Sequence, residues 1–352
     1  MSRKAFLAAF LLIAPIIVEI GAGTPAHAAS TCNWSLAPRA PIEGIGDMRT
    51  GIAAPSPNRV WVVADDQHDP IVARFDGTSW RTKLVPDPGY VAGSFHAITA
   101  IAPGDIWAVG WHRATADGRA APLAAHWDGS AWTAISPPAS TDRNGFLSAV
   151  SGSGSDDVWA VGYQSNGNVD QGFVEHWTGS DWTQEPFPFD EAFLVSVTAI
   201  AADDVWASGL YASYHWDGGG WTQYPILTPG GYLVGSAATS STDVWRAGWF
   251  DGGYAEHWNG ASWTETPVLH RGTNANYANA VAARSPTNAW IVGSSGGRSY
   301  YALVEHWNGS FWHWRRTPLD RVDDTSLEAV SVVPHSRTMW AVGRNGAMLR
   351  YC

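Results

Sequence analysis

One short motif, Trp-Ala-Val-Gly or a close variant of it, recurs along the chain and constrains the fold more than any other feature. Aligning the copies gives seven tryptophans at the shared position: Trp61, Trp107, Trp159, Trp206, Trp245, Trp290 and Trp340. Successive copies are 46, 52, 47, 39, 45 and 50 residues apart. A period of about 40–50 residues is typical of four-stranded propeller blades rather than of the shorter helical repeats. The spacing therefore predicts seven blades.

The pattern inside each copy predicts four strands. A run of small and β-branched residues such as "FLSAVSGS" precedes "VWAVG", and a loop of variable length leads to an alternating run such as "LVEHW". Asp-Gly, Asn-Gly or Thr-Gly then marks a tight turn before a strand that opens with "AWT" or "SWT". No stretch after the N-terminal leader has helical periodicity. We predict an all-β fold, a seven-bladed β-propeller of four-stranded antiparallel blades.

The tryptophans fall at three positions of the repeat. Seven lie on second strands, and a second set ends the third strands: Trp127, Trp177, Trp216, Trp258 and Trp307, with Phe75 in the same role. A third set opens the fourth strands, always five residues later: Trp80, Trp132, Trp182, Trp221, Trp263 and Trp312. We expect these rings to pack between blades, because aromatic side chains bury large apolar areas. We expect packing, not metal binding, for the histidines that precede the third-strand aromatics: His126, His176, His215, His257 and His306.

This arrangement resembles the kelch-like and galactose-oxidase-type propellers, in which a second strand ending in glycine precedes an aromatic third strand, a polar turn and a tryptophan. It also resembles secreted tryptophan-rich "WAVG" repeat proteins of bacterial type. The likeness covers the chain after its leader, but "VG" stands here where kelch repeats carry a double glycine. The copper site of galactose oxidase is not carried over, because it needs a cysteine crosslinked to a tyrosine and both cysteines lie near the chain ends.

The two ends of the repeat array complement each other. Fourth-strand tryptophans precede the next second-strand tryptophan by 24 to 28 residues, and Trp34 precedes Trp61 by 27. The N-terminal segment is therefore spaced as the fourth strand that the last blade lacks, and closing the ring removes an exposed sheet edge. We place Cys352 at the third-strand aromatic position and Cys32 three residues further on. Because a β-turn brings such positions within about 7 Å, we predict a Cys32–Cys352 disulfide.

The first residues predict export. Arg3 and Lys4 precede an apolar stretch, and Ala26-His27-Ala28 forms a small-residue cleavage pattern, so we predict a signal peptide over 1–28 and a single propeller domain over 29–352. An uncleaved membrane anchor is the alternative; no later segment is long and apolar enough to span a membrane. We expect a secreted monomer. The formal charge of −11, or −12 without the leader, disfavours a nucleic acid partner.

Length variation between second and third strands places the expected binding site on one face. The interval from second-strand tryptophan to third-strand aromatic ranges from 10 residues in the fourth blade to 20 in the second. Trp111, Tyr163 and Trp249 directly follow the motif glycine on that face. Exposed aromatic rings are platforms for sugars, so these three are candidate stacking residues. The alternative is that they only pack beneath the long loops.

Polar residues on the same loops could bind or act on a ligand: His112, Arg113, Arg143, His270, Arg271, Arg298 and Tyr300, with His96 near the channel mouth and Asp117, Arg119 and Asp142 beside them. A polysaccharide lyase needs a cation against a uronate carboxylate and a His or Tyr for the proton. The His-Arg pairs would suit it. A glycoside hydrolase needs two facing carboxylates, whereas Asp190-Glu191 and Asp323-Asp324 are adjacent in sequence.

No motif points to a cofactor or a metal. The acidic run Asp65–Asp69 is either a solvated loop or a calcium loop, and it matches no specific calcium pattern. Phosphate-loop, nucleophile-elbow and HExxH motifs are absent from the sequence. The sequence favours a secreted binding module for carbohydrate or an extracellular protein. A polysaccharide-degrading enzyme and a purely structural scaffold are the alternatives.

Overall fold

Seven antiparallel sheets of four strands each follow one another around a ring, which confirms the predicted fold class. The computed structural model describes residues 32–41, 51–65, 70–85, 90–116, 118–190, 192–268, 275–296 and 300–352. The predicted signal peptide over 1–28 lies outside these residues.

Blades 1 to 6 each contain four strands in chain order, from the channel outward. Blade 1 comprises β2 (Gly51–Ser56), β3 (Arg59–Asp65), β4 (Pro70–Phe75) and β5 (Trp80–Leu84). Blade 2 comprises β6 (Ala92–Ala102), β7 (Asp105–Arg113), β8 (Ala121–Trp127) and β9 (Trp132–Ala134). Blade 3 comprises β10 (Asn144–Gly154), β11 (Asp157–Ser165), β12 (Asp170–Trp177) and β13 (Trp182–Gln184).

The next blades repeat the plan. Blade 4 comprises β14 (Leu194–Ala201), β15 (Asp204–Gly209), β16 (Ala212–Trp216) and β17 (Trp221–Pro225). Blade 5 comprises β18 (Tyr232–Ser240), β19 (Asp243–Trp249), β20 (Gly253–Trp258) and β21 (Trp263–Pro267). Blade 6 comprises β22 (Ala275–Ser285), β23 (Asn288–Gly296), β24 (Tyr300–Trp307) and β25 (Trp312–Trp314).

Blade 7 is assembled from both chain ends. Its inner strands are β26 (Leu327–Val332), β27 (Met339–Gly343) and β28 (Met348–Tyr351), and its outermost strand is β1 (Trp34–Leu36). A short 3₁₀ helix, Arg344–Gly346, joins β27 to β28. The N-terminal strand therefore closes the last blade, as the spacing of Trp34 predicts.

The register of this closure corrects one sequence-based assignment. Trp34 pairs with Tyr351, just as Trp132 pairs with Trp127 in blade 2. Tyr351, and not Cys352, therefore holds the third-strand aromatic position. The error arises because loop lengths before the third strand vary, so the position cannot be counted forward from Trp340. The predicted Cys32–Cys352 disulfide is confirmed.

Aromatic groups join each blade to the next. The second-strand tryptophan of one blade contacts the third-strand and fourth-strand aromatics of the following one; Trp61, for example, lies with its ring centroid 5.2 Å from Trp127 and 5.5 Å from Trp132. The closing blade keeps the pattern, with Trp290 4.9 Å from Tyr351 and 5.8 Å from Trp34. All seven second-strand tryptophans are at most 2% exposed. The tryptophan repeat is thus the core between blades.

Each of the five histidines stacks on the second-strand tryptophan of its own blade, and blade 3 shows the arrangement. His176 stacks on Trp159 with centroids 4.0 Å apart, and its Nε2 lies 2.7 Å from Asp157 Oδ1. Trp159 Nε1 and Ser153 Oγ donate to the same carboxylate. Burial alone would raise the pKa of Asp157, but hydrogen bonds from His176, Ser153 and Trp159 hold it below its ordinary value. Each histidine therefore lies over the tryptophan of its own blade.

Blades 1 and 7 replace the histidine by arginine. Arg74 lies over Trp61 with its guanidinium carbon 5.4 Å from the ring centroid, and Arg350 lies over Trp340 at 5.5 Å. A cation over the ring face provides an attraction comparable to the aromatic stack. Among the described residues, no group of three or more His, Cys, Asp or Glu side chains is arranged to hold a metal ion. The described part of the chain also lacks any helix with the length and apolarity needed to cross a membrane.

Candidate functional site

The face where second strands end carries the variable loops, and we call it the upper face. In blade 2 the connection from β7 to β8 spans residues 114–120, whereas in blade 4 only Leu210 and Tyr211 join β15 to β16. The links from fourth to first strands reach the same face, because all strands of a blade are antiparallel. Loops on a rigid scaffold are where binding residues concentrate.

A run of aromatic rings crosses the upper ends of blades 2 to 4. Trp111 contacts Phe146 edge-on at 5.9 Å between centroids, Phe146 stacks on Tyr163 at 5.0 Å, and Tyr163 stacks on Phe193 at 3.9 Å. Trp111 and Tyr163 end second strands, while Phe146 and Phe193 lie at the start of first strands or just before them. Each ring therefore contacts another ring of its own blade or of the neighbouring blade.

A second run continues across blades 4 to 6. Tyr211 lies 5.4 Å from Tyr232, Tyr232 lies 4.9 Å from Trp249, Trp249 lies 5.6 Å from Tyr277, and Tyr277 lies 6.0 Å from Tyr300. Together the two runs form what we call the upper aromatic band: Trp111, Phe146, Tyr163, Phe193, Tyr211, Tyr232, Trp249, Tyr277 and Tyr300.

The band is open to solvent along part of its length. Tyr211 is 58% exposed and Tyr300 is 38% exposed, and Phe250 beside the band is 48% exposed at the tip of its loop. The other rings of the band are half-buried. Runs of partly exposed aromatic rings in contact with one another mark an interaction surface more strongly than scattered apolar residues do.

The three aromatics predicted from the sequence all lie in the band, but in different settings. Tyr163 stacks with Phe146 and with Phe193, so neighbouring rings take up its faces. Trp249 meets Tyr232 at an interplanar angle of 36° and Tyr277 edge-on. Trp111 has Arg113 over its ring at 5.5 Å. Trp249 therefore has one neighbouring ring in blade 5 and one in blade 6, and Tyr163 is a spacer within the band.

The polar residues of the β7 loop are packed rather than poised for proton transfer. His112 stacks on Tyr90 at 3.8 Å between centroids, and burial lowers its pKa, so the ring is neutral. Its Nδ1 is buried, with no hydrogen-bond partner among the described residues. Arg113 covers Trp111, and the half-buried Arg143 has its Nη1 buried and unpaired within the described part of the chain.

Several candidates fall outside the described residues. These are His270, Arg271 and Arg298, with Asp117, Glu191 and positions 66–69 of the acidic run. Tyr300 is described and lies at the start of β24, where it ends the aromatic band. His96 lines the upper end of the central channel, as its position predicts. The His112 and His270 pairs therefore have no described geometry between them.

The first-strand aromatics Phe146, Phe193, Tyr232 and Tyr277 were not singled out from the sequence. Each immediately precedes the first apolar core residue of its first strand, at the level of the residue that follows the motif glycine; Phe146 pairs with Tyr163 and Tyr232 with Trp249. Aligning the repeats on the first strand would have shown an aromatic at this position in four of the blades.

Known proteins share the fold with this chain. No protein-family model matches it, and no curated protein matches it. YCF48 bound to D1 peptide is 15% identical, with a TM-score of 0.63 over 92% of this chain and 96% of that one. A catalytically inactive virginiamycin B lyase from Staphylococcus aureus with quinupristin is 12% identical, with a TM-score of 0.64 over 91% and 99%.

A lectin has the same kind of architecture. The fucose-binding lectin of Aleuria aurantia, a six-bladed β-propeller, is 15% identical, with a TM-score of 0.53 over 80% of this chain and 98% of the lectin. All these identities are below 25%, so the likeness shows the β-propeller fold alone. It establishes no family. The neighbours are a peptide complex, a lyase and a lectin, which shows how different functions share one scaffold.

Proposed function

We propose that this protein is a secreted binding module that recognises carbohydrate through its upper face. The observation that carries the proposal is the upper aromatic band, nine rings in two runs, of which Tyr211 and Tyr300 are well exposed. Aromatic rings bury apolar surface while Tyr and Trp keep a polar group at the rim. Sugar rings present C–H faces to such platforms and hydroxyl groups to their edges.

The charge around the band favours a neutral ligand. Burial lowers the pKa of His112, which stacks on Tyr90, so at pH 7 this ring adds no positive charge beside the band. The whole chain carries a formal charge of −11, which repels polyanions at low ionic strength. A surface protein is the second candidate ligand, since one structural neighbour is described as bound to a peptide.

A disulfide between the chain ends supports export, because such bonds persist in oxidising compartments. We propose, on the sequence, that residues 1–28 are a cleaved signal peptide and that the chain acts as a monomer. The likeness to kelch-like propellers and to "WAVG" repeat proteins belongs to the same proposal. The polysaccharide-degrading alternative would rest on His112, Arg113, His270 and Arg271, of which only His112 and Arg113 are described.

The test is retention of the mature protein on insoluble polysaccharides, neutral ones such as cellulose, xylan and galactomannan beside a uronate polymer. Trp249→Ala and Tyr211→Ala should each weaken retention on the bound neutral polymer by at least tenfold. Phe311→Ala is the matched control, because Phe311 is 54% exposed in the opposite-face turn between β24 and β25. Equal retention of all three variants, or no retention of the wild-type protein on any polymer, would contradict the proposal. New reducing or unsaturated ends would favour the enzyme.

A further inference from the structure

The repeat motif encodes a distortion that shapes the upper end of the channel. In blades 2 to 7 the first strand carries one extra residue opposite the second strand, a β-bulge at the same repeat position each time. The six bulge residues are His96, Ser148, Val195, Val234, Asn279 and Glu328.

In every bulged blade except blade 4, the glycine of the motif explains why the bulge fits. Gly162 lies opposite the bulge of blade 3, and a Cβ atom on it would come within 1.9 Å of the Phe146 carbonyl oxygen. Gly248 would meet the Tyr232 carbonyl oxygen at the same distance. Only glycine allows the first strand to approach so closely, and the bulge re-aims one side chain per blade.

The bulge residues surround a cavity of about 300 Å³ at the mouth of the channel. Leu210 and Leu233 complete its described lining. Blades 4 and 5 supply an apolar arc of Val195, Leu210, Leu233 and Val234, while the polar bulge residues come from blades 2, 3, 6 and 7. A cavity of this size is at the low end of the range for small-molecule sites, so it suits one small unit.

The polar arc is rich in acceptors. His96 Nδ1 lies 2.9 Å from the Leu147 carbonyl oxygen and donates to it. Asn279 Nδ2 is 3.0 Å from the Leu327 carbonyl oxygen and 3.3 Å from Glu328 Oε2. The carbonyl and carboxylate oxygens can only accept, so Asn279 Nδ2 donates to both of these groups of blade 7. The amide oxygen of Asn279 is left for a ligand.

Ser148 is the second, independent sign of a ligand. The residue is 5% exposed and lines the cavity, and its hydroxyl has no hydrogen-bond partner within the described residues. Buried hydroxyl groups are nearly always hydrogen-bonded, so an unpartnered one facing a cavity indicates a site completed by a bound molecule.

We infer that this cavity is a subsite for one neutral sugar unit of the ligand that crosses the upper aromatic band. The inference rests on the proposed function and adds the substrate class. Sugar hydroxyls would donate to Glu328 and Asn279 and pair with Ser148, while the C–H face lies on the Val195–Val234 arc. The Glu328 carboxylate, held by Arg344 Nε at 3.2 Å, disfavours a uronate at this position.

The experiment titrates the mature protein calorimetrically with glucose, galactose, mannose and xylose, with glucuronic acid, and with glucosamine. At least one neutral sugar should bind, and Ser148→Leu and Val195→Phe, which fill the cavity from its polar arc and its apolar arc, should each weaken this binding at least tenfold. Ser151→Ala on the same strand is the control and should keep the affinity. A thermal scan of each variant shows whether it is folded, and the two filling variants are independent of each other.

The outcomes separate this inference from the proposed function. Loss of polymer retention in Trp249→Ala, with unchanged retention in both filling variants, would overturn the cavity subsite and leave the aromatic band as the site. Binding of glucosamine or glucuronic acid but of no neutral sugar would overturn the assignment of the ligand class. Failure of every polymer and every sugar would overturn both.

Discussion

Cys32 and Cys352 are joined at the two positions that a side-chain hydrogen bond connects in five of the other six blades. With Tyr351 opposite Trp34, Cys352 matches Asp128 of blade 2 and Cys32 matches Ser130. In blade 2 the Ser130 amide donates to Asp128 Oδ1 at 2.8 Å, and the equivalent bond recurs at Asp76, Asp217, Asn259 and Asn308. The disulfide therefore replaces a turn that the chain ends cannot make.

Removing the disulfide should destabilise the ring without changing its architecture. The bond closes a loop of more than 300 residues, so loop entropy gives an upper bound of about 5 kcal/mol, and strands β1 and β28 remain paired. We expect the Cys32→Ser/Cys352→Ser variant to unfold several degrees lower in a thermal scan. Two thiols titrating in the denatured, unreduced wild type would contradict the bond.

Much of this closure could be predicted because the repeat has a fixed interval between the fourth strand and the next second strand. Trp34 obeys that interval, so the strand that completes blade 7 could be assigned from the sequence. The exact register could not be predicted, because in blade 7 the two chain ends meet where the other blades have the turn that sets the five-residue interval. Tyr351 and Cys352 were both possible occupants of the aromatic position, and only strand pairing decides between them.

Glu175 makes stability fall as pH rises. The residue is 1% exposed, and burial, with repulsion from Glu185, raises its pKa to about 8. The folded state therefore holds a proton that the unfolded state releases near pH 4.5, so this stability is complete below pH 4.5 and lost by about pH 8. At ~1.4 kcal/mol per pKa unit the whole effect is on the order of several kcal/mol.

Glu175→Gln should remove this dependence and stabilise the protein above pH 8. Urea unfolding of wild type and variant between pH 4.5 and pH 9 measures it, with Glu185→Gln as a control that should shift the midpoint of the dependence only slightly. Parallel pH profiles for wild type and Glu175→Gln would mean that the carboxyl is already ionised in the folded state.

Glu175 and Glu256 hold the same position of the repeat, but the groups around their carboxyls differ. Glu256 binds Arg246 Nε at 2.7 Å through Oε2 and accepts from the Leu227 amide at 2.9 Å through Oε1. For Glu175 the arginine is replaced by Ala160, and Pro138 stands where Leu227 would donate. Proline has no N–H, so the carboxyl lacks both partners.

The buried pair of blade 5 should behave as a unit. Arg246 and Glu256 are fully buried, and Arg246 also donates to Ser213 Oγ and the Pro225 carbonyl while lying 4.0 Å from the Trp263 ring centroid. Glu256→Ala alone strands a buried cation and should cost about 3–5 kcal/mol. Arg246→Met/Glu256→Leu should cost much less than the two single changes together. A double-mutant cycle by chemical denaturation measures the coupling, and additive single effects would show that the pair does not interact.

The candidate site was harder to predict than the fold. Trp111, Tyr163 and Trp249 could be found because they follow the motif glycine, but their neighbours lie in other blades and at different distances along the sequence. Phe146 and Tyr277 read as ordinary strand residues until the blades are placed side by side. Of the six bulge residues only His96 was named from the sequence, and the other five were missed for a related reason: a bulge breaks the two-residue alternation from which inward-facing positions are read.

Tyr163 offers a last distinction between packing and recognition in the band. Because it stacks with Phe146 at 5.0 Å and with Phe193 at 3.9 Å, Tyr163→Ala should lower the free energy of unfolding by roughly 2–4 kcal/mol, as for other large aromatic truncations. Tyr163→Phe keeps both stacks and should preserve stability and polysaccharide retention. Tyr211→Ala, at a residue 58% exposed, should do the reverse, with stability nearly unchanged and retention lost. Denaturation and retention measured on the same preparations test this, and a loss of retention in Tyr163→Phe would make its hydroxyl a ligand contact instead.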